Sequence, residues 1–109
     1  MMKHDLQKIG DDVVKILQQI YDPEIPVNIY ELGLIYDVSV MPEKKKYNVK
    51  IIMTFTAPNC PVAESLPIEI KEKIKSIDYI NSVEIEITWD PKWTQDMMSE
   101  EAKLELGFL

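Results

Sequence analysis

The sequence predicts an α+β fold, a two-layer sandwich in which helices cover one face of a three-stranded mixed sheet. Two runs with apolar residues at alternate positions flank a short polar turn, which indicates an antiparallel hairpin. A run of helical periodicity then leads to a third alternating run, and such a strand–helix–strand unit is a right-handed crossover between parallel strands. Helical patterns at both ends of the chain complete the order α-β-β-α-β-α.

The first element is a helix predicted over residues 4–21, and Pro23 ends it because the residue before a proline is driven out of the α region. Residues 22–33 form a connection, in which Asn28 can cap one short turn that ends at Gly33. The helix carries its apolar residues at spacings of three and four: Leu6, Ile9, Val13, Ile16, Leu17 and Ile20.

Two strands are predicted over residues 34–41 and 47–56, with residues 42–46 as the polar turn between them. The second strand alternates most clearly. One face is apolar, which predicts that it faces the core: Tyr47, Val49, Ile51, Met53 and Phe55. The other face is expected to be polar and carries Asn48, Lys50, Thr54 and Thr56, with Ile52 as an exception.

A second helix is predicted from Pro61 to about Ile77, and Pro67 is expected to kink it or to delay its regular start. The third strand is predicted over residues 82–89, with Trp89 in phase with the core-facing positions. The tail, residues 90–109, is expected to hold a short acidic helix, capped at its start by Ser99 and ended by Gly107.

The chain of 109 residues is predicted to be one domain, residues 1–109, because it has the length of a single core and neither an internal repeat nor a linker-like tract. Its net charge is −7, with 19 acidic residues against twelve lysines and no arginine. That balance argues against binding to nucleic acid or to an anionic membrane. No signal peptide or membrane span is apparent, so a cytoplasmic location is expected.

The only cysteine, Cys60, is the sharpest single feature. One cysteine excludes an intrachain disulfide and a cluster held by four thiolates of one chain. It is predicted to lie at the N-cap of the second helix, where unpaired N–H groups favour a reactive thiolate that binds iron or attacks an electrophile. The alternative is a small buried apolar residue. The only histidine, His4, lies near the end of the chain, so a thiol enzyme would lack its base and no enzyme is expected.

Other candidate site residues carry weaker signals. Asp22 and Glu24 place two carboxylates on a proline-stiffened turn, either as oxygen ligands or partner contacts, or as a turn-forming and a solvated residue. Thr56 and Asn59 lead towards the thiol and can bond a ligand, although exposed polar positions are the more common explanation. Trp93, with Met97 and Met98, is expected to pack over the core, with self-association as the alternative.

Three segments carry a resemblance to a known family: residues 22–36 (DPEIPVNIYELGLIY), residues 54–61 (TFTAPNCP) and residues 89–103 (WDPKWTQDMMSEEAK). They resemble, in order and over nearly the whole chain, the PaaD/SufT-like iron–sulfur cluster assembly family. The family's cysteine corresponds to Cys60 and its acidic turn to Asp22 and Glu24. Unlike PaaD proteins, the sequence shows no cysteine-bearing C-terminal extension, which favours a general assembly role.

The resemblance implies a non-enzymatic adaptor or transient carrier in iron–sulfur cluster maturation, which acts with Suf-type machinery and apo iron–sulfur clients. Cys60 would be a transient ligand of iron or a cluster, with none stably bound by one chain; a homodimer or a partner would supply further ligands. The alternatives are a non-metal protein-interaction module, including a PaaD-like accessory role in phenylacetyl-CoA oxygenation, and a thiol-dependent enzyme.

Overall fold

The computed structural model describes residues 6–21, 27–55 and 65–107. The elements are α1 (Leu6–Leu17), β1 (Ile35–Glu43), β2 (Lys46–Met53), α2 (Leu66–Lys75), β3 (Ile80–Ile87) and α3 (Glu100–Glu105), with a 3₁₀ turn at Gln95–Met97 before α3. This is the predicted α+β order.

The sheet has the strand order β1-β2-β3, which local sequence patterns do not determine. β1 runs antiparallel to β2, and β2 runs parallel to β3, so the predicted hairpin and the predicted parallel crossover are both confirmed. α1 contacts β1 and α2, and α2 contacts β3, so the two long helices form a layer on the sheet. Among the strands of the described residues, β2 is central and β1 and β3 are the two edges.

The core lies between the sheet and this helical layer. The alternate residues of β2 that the sequence pattern assigns to the core are buried, each between 0 and 9 % exposed. Opposite them, α1 and α2 bury the apolar positions of their own periodic patterns. Each such side chain contributes roughly 1.5–3 kcal/mol when fully buried. The fully buried helical residues are Ile9, Val13, Leu17, Ile70 and Ile74.

The helices are shorter than the periodicity predicts. α1 ends at Leu17, and Ile20 continues the buried pattern beyond the helix at 0 % exposure. α2 begins at Leu66, with Pro67 in its first turn, so the proline marks a delayed start rather than a kink. The N-cap of α2 is Ser65, and the prediction that Cys60 caps this helix is therefore wrong.

The hairpin turn is tighter than the predicted 42–46. Pro42 pairs with Tyr47 and Glu43 with Lys46, which leaves Lys44 and Lys45 as the turn. Lys44 adopts a φ of 56°, as two-residue hairpin turns require. Pro42 is tolerated within β1 because an edge strand need not donate every N–H to a ladder.

Two predicted orientations are wrong because the strands end early. β2 ends at Met53, so alternation stops there and Thr54, assigned to the polar face, is 1 % exposed. β3 ends at Ile87, and Trp89, assigned to the core, is 46 % exposed. None of the helices in the described ranges has the length and apolar character needed to cross a bilayer.

Candidate functional site

The described parts of the three family-like segments meet at one end of the sheet, where β2 and β3 finish and β1 begins. Ile35 pairs with Met53, and Met53 pairs with Ile87. Beyond the strands, the Thr54 N–H donates to the Leu34 carbonyl at 2.8 Å. The Thr88 N–H donates to the Met53 carbonyl at 2.9 Å. We call this region, residues 31–36, 53–55 and 87–99, the site end.

The C-terminal segment is bonded directly to the connection that precedes β1. The indole Nε1–H of Trp93 donates to the Leu32 carbonyl at 2.7 Å. The Ser99 N–H donates to the Glu31 carbonyl at 2.9 Å, and the Ser99 side chain accepts from the Ala102 N–H as the predicted cap of α3. Because these bonds use backbone acceptors of the connection, they fix its path as well as that of the tail.

The contact between the two segments is closest at Gly33. This residue has a φ of 83°, and a Cβ built on it would lie 2.3 Å from the carbonyl oxygen of Met97. Met98 is 5 % exposed, and Trp93 packs partly buried against the core. The prediction that this part of the tail packs over the core is therefore confirmed for Trp93 and Met98.

Tyr36 joins the three segments. Its hydroxyl donates to the Pro91 carbonyl at 2.7 Å and lies 3.5 Å from the Met97 sulfur. Burial raises the pKa of the Tyr36 phenol, and the negative charge of Asp90 raises it further, while a hydrogen bond with Thr54 opposes the change. Tyr36 therefore stays a neutral hydrogen-bond donor at physiological pH.

Trp89, 46 % exposed, faces solvent at the site end and lies on a buried aromatic ring. Phe55, 3 % exposed, lies with its ring centroid 6.0 Å from that of Trp89 at an interplanar angle of 43°. Phe55 is the last residue described before Cys60. An exposed tryptophan supported by a buried ring is a surface type enriched in protein interfaces.

Five of the six candidate site residues lie outside the described ranges: Asp22, Glu24, Thr56, Asn59 and Cys60. Their roles stay predictions. The bridge between Tyr21 and Asn28 joins the two sides of the acidic turn, and Asn28 Oδ1 accepts from the Glu31 N–H at 2.9 Å, which confirms the predicted cap. Within residues 6–21, 27–55 and 65–107, no three His, Cys, Asp or Glu side chains cluster so as to hold a metal ion.

Tyr36 and Trp89 belong to this region, although sequence patterns do not single them out as site residues. Alternation makes Tyr36 one position of a regular strand, but a register shift between Ile35 and Asp37 interrupts the ladder at this residue. The signal that was present in the sequence is Gly33, predicted as the end of a turn. A glycine there permits both the positive φ and the close approach of Met97.

The fold and the site end together define a small two-layer α+β domain in which residues 27–36 and 89–99 meet beside Thr54 and Phe55. The chain belongs to the family of iron–sulfur cluster assembly proteins, whose family model matches residues 10–87. The resemblance found from the three segments is thereby confirmed.

Relatives extend this assignment. The chain is 46 % identical, over 99 % of its own length and 100 % of the relative's, to an "Fe-S protein maturation auxiliary factor" of Porphyromonas gingivalis. It is 38 % identical to the "Fe-S protein maturation auxiliary factor SufT" of Staphylococcus aureus, over 81 % of this chain and 97 % of that one. It is 34 % identical to a putative subunit of 1,2-phenylacetyl-CoA epoxidase from Escherichia coli, over 87 % of this chain but 55 % of that one.

A solved structure has the same fold. A domain of unknown function from Bacillus anthracis superposes with a TM-score of 0.84 at 31 % sequence identity, over 95 % of this chain and 96 % of that one. The three helices and the mixed three-stranded sheet are therefore those of the family.

Proposed function

We propose that this protein is an iron–sulfur cluster maturation factor, a non-enzymatic adaptor or transient carrier that works with Suf-type assembly proteins and apo iron–sulfur clients. The observation that carries the proposal is the site end, where the described parts of all three family-like segments are bonded together. The names of the relatives, maturation auxiliary factors that the chain matches over most of their length, support the general role.

Cys60 is the proposed ligand for iron or a cluster, which is cargo rather than a resident group. Iron–sulfur clusters are held by thiolates, and the chain has one cysteine. One chain therefore leaves coordination positions open, and these would be filled by a client, an assembly protein or Cys60 of a second copy. An incomplete ligand set favours transfer over storage.

Reconstitution under anaerobic conditions with ferrous iron and sulfide tests the proposed ligand. We expect a labile chromophore in the wild-type protein and its loss in Cys60→Ala, because the alanine removes the thiolate without adding bulk. Ser65→Ala is a matched control on the same strand–helix connection, and it should keep the chromophore. A spectrum unchanged in Cys60→Ala would exclude Cys60 as the ligand.

The interaction module is the second candidate, and exposed Trp89 at the site end favours it. In that case the protein binds a client through this end and Cys60 has no part in the reaction. Complementation of a strain that lacks the gene separates the two. The Cys60→Ser variant should not complement the strain if the protein carries a cluster, and it should complement the strain if the protein only binds a client. The Trp89→Ala variant should not complement the strain if the protein is an interaction module.

A further inference from the structure

The two edges of the sheet differ in how they are protected. An edge strand presents backbone N–H and C=O groups without partners in its sheet, and natural proteins block such edges with charges. β3 carries Glu84 and Glu86 at alternate positions, both near Lys50 on the adjacent strand. β1 has no charged residue between Asp37 and Glu43, and its other edge protections, the register shift at Tyr36 and Pro42, lie towards its two ends, which leaves residues 37–41 open. Within the described ranges β1 pairs with β2 alone.

A groove of mixed polar and apolar lining lies along the outer side of β1, with Gln7 and Asp11 of α1 as its polar residues. Its volume is about 430 Å³, and it opens between α1 and β1. Leu6 is 46 % and Tyr30 37 % exposed on its walls, and a Cβ on Gly10 would meet nothing within 4 Å. Val38 and Val40 of β1 also line it. A strand added beside β1 would therefore have apolar surface to bury at every second residue.

We propose that the occupant of this edge is β1 of a second copy of the chain, paired antiparallel about a two-fold axis at Ser39. In that register Val38 of each copy lies opposite Val40 of the other on the helical side of the sheet. The two Ser39 residues face one another, and Asp37 lies opposite Met41. The result is an isologous dimer with one continuous six-stranded sheet.

The charges at the two ends of β1 favour antiparallel over parallel pairing of two copies. Asp37 is exposed near the start of the strand, and the lysines of the hairpin turn, Lys44 and Lys45, are exposed beyond its end. Antiparallel pairing brings the lysine end of one copy towards the acidic end of the other, whereas parallel pairing would place like charges together. The remaining acid, Glu43, is bonded to Asn48 within its own hairpin.

The dimer has a definite relationship to the site end. Ile35 marks that end of β1, and in the proposed register the two copies of Ile35 are eight residues apart along the paired strands, about 27 Å at 3.4 Å per residue. The two site ends are therefore held apart on opposite sides of the axis. The inference does not require Cys60 or a cluster, so it can fail or hold independently of the proposed function.

Disulfide trapping tests the register directly. Residues opposite one another in antiparallel strands have Cα atoms roughly 4.5–5.5 Å apart, which is within the range that a disulfide spans. We therefore expect Ser39→Cys, made in a Cys60→Ser background, to form a covalent dimer on mild oxidation. The matched control is Ser82→Cys in the same background, on the other edge strand, and it should cross-link at least about tenfold more slowly. Equal rates for the two variants would overturn the proposal.

Sedimentation equilibrium at micromolar to millimolar protein tests the free energy of pairing. The wild type should move from 12.7 kDa towards twice that mass as the concentration rises. Ser39→Lys should stay monomeric, because it places two ammonium groups across the axis, while Ser82→Lys should behave as the wild type; circular dichroism verifies that both fold. A wild type that remains monomeric at millimolar concentration overturns the inference, even if β1 binds some other protein. A Ser39→Lys variant that dimerises as the wild type does overturns it as well.

Discussion

Trp93 donates its indole N–H to the backbone carbonyl of Leu32 across 61 residues of sequence, at a distance of 2.7 Å. Leu32 is fully buried, so its carbonyl has an indole as partner in a place that excludes most water. The bond therefore ties the tail to the connection before β1, and both segments belong to the site end.

Replacing Trp93 by phenylalanine should lower the free energy of unfolding by about 1–3 kcal/mol, because the Leu32 carbonyl would lose its donor while most of the ring contact remains. Urea denaturation followed by circular dichroism measures the difference. Trp89→Phe is the matched control, since Trp89 is 46 % exposed, and it should change stability by less than about 0.5 kcal/mol. Equal effects of the two substitutions would contradict the structural role of the bond.

Gly33→Ala should be strongly destabilising, by about 2 kcal/mol or more, since it combines a strained positive φ with a clash against the Met97 backbone. Gly107→Ala has the same kind of φ, 81°, but nothing within 4 Å of the added carbon, so only the conformational cost of about 1 kcal/mol is expected. Gly10→Ala, in an open position of α1, should stabilise by up to about 1 kcal/mol. Thermal or urea unfolding ranks the three, and a different order would show that the Met97 contact is not tight.

Tyr36→Phe should loosen the tail while leaving the sheet intact, because it removes the donor to the Pro91 carbonyl and keeps the ring. Hydrogen exchange should increase in the segment 91–99 and stay unchanged in β2. Tyr21→Phe, at an exposed position, is the control. Uniform exchange changes over the whole chain would instead indicate general destabilisation.

Ionisation of Tyr79 is expected to lower the stability of the fold at alkaline pH. Burial, followed by its hydrogen bond to Asp12 at 2.5 Å, raises the pKa of Tyr79 to about 12. Because the folded pKa lies above the ordinary value of 10.0, the stabilisation that Tyr79 contributes is fully present below pH 10 and is lost as the pH rises towards 12. Tyr79→Phe should remove this decline in unfolding experiments between those values, and ultraviolet titration of the phenolate should lose its latest-titrating tyrosine.

Protonation of Asp12 is expected to lower the stability of the fold at acid pH. Its hydrogen bond from Tyr79, and then the charges of Lys8 and Lys15, lower the pKa of the Asp12 carboxyl against the opposing effect of burial. A lowered pKa means that the stabilisation is present above the ordinary value of 3.8 and is lost as the pH falls through the folded pKa. Asp12→Asn should flatten this acid decline of stability, and Asp11→Asn, one position along the same helix, should leave it as in the wild type.

The hairpin, the parallel crossover and the buried face of β2 are predictable from the sequence because each follows from local periodicity. Alternation decides which side of a strand is buried, and Tyr47 to Met53 follow it without a break. A short polar stretch between two alternating runs decides that they are neighbours. Such patterns need no knowledge of the rest of the chain.

Contacts between distant segments could not be predicted in this way. Trp89 is in phase with the apolar positions of β3, but the strand ends at Ile87 and the ring lies on Phe55 instead. The start of α2 could not be chosen between Pro61 and Pro67 because both prolines suit a first turn. The bond between Trp93 and Leu32 depends on where the tail folds back, which no periodicity encodes.

The docking of the tail also has a consequence for synthesis. Chains grow from the N-terminus and begin to fold while they emerge. The Leu32 and Glu31 carbonyls are made long before Trp93 and Ser99, which donate to them. A ribosome that has translated the sheet but not residues 91–99 therefore carries a domain with its core strands present and its site end unfinished. The site end is therefore completed last, and prematurely terminated chains would lack a complete site end even where the sheet had formed.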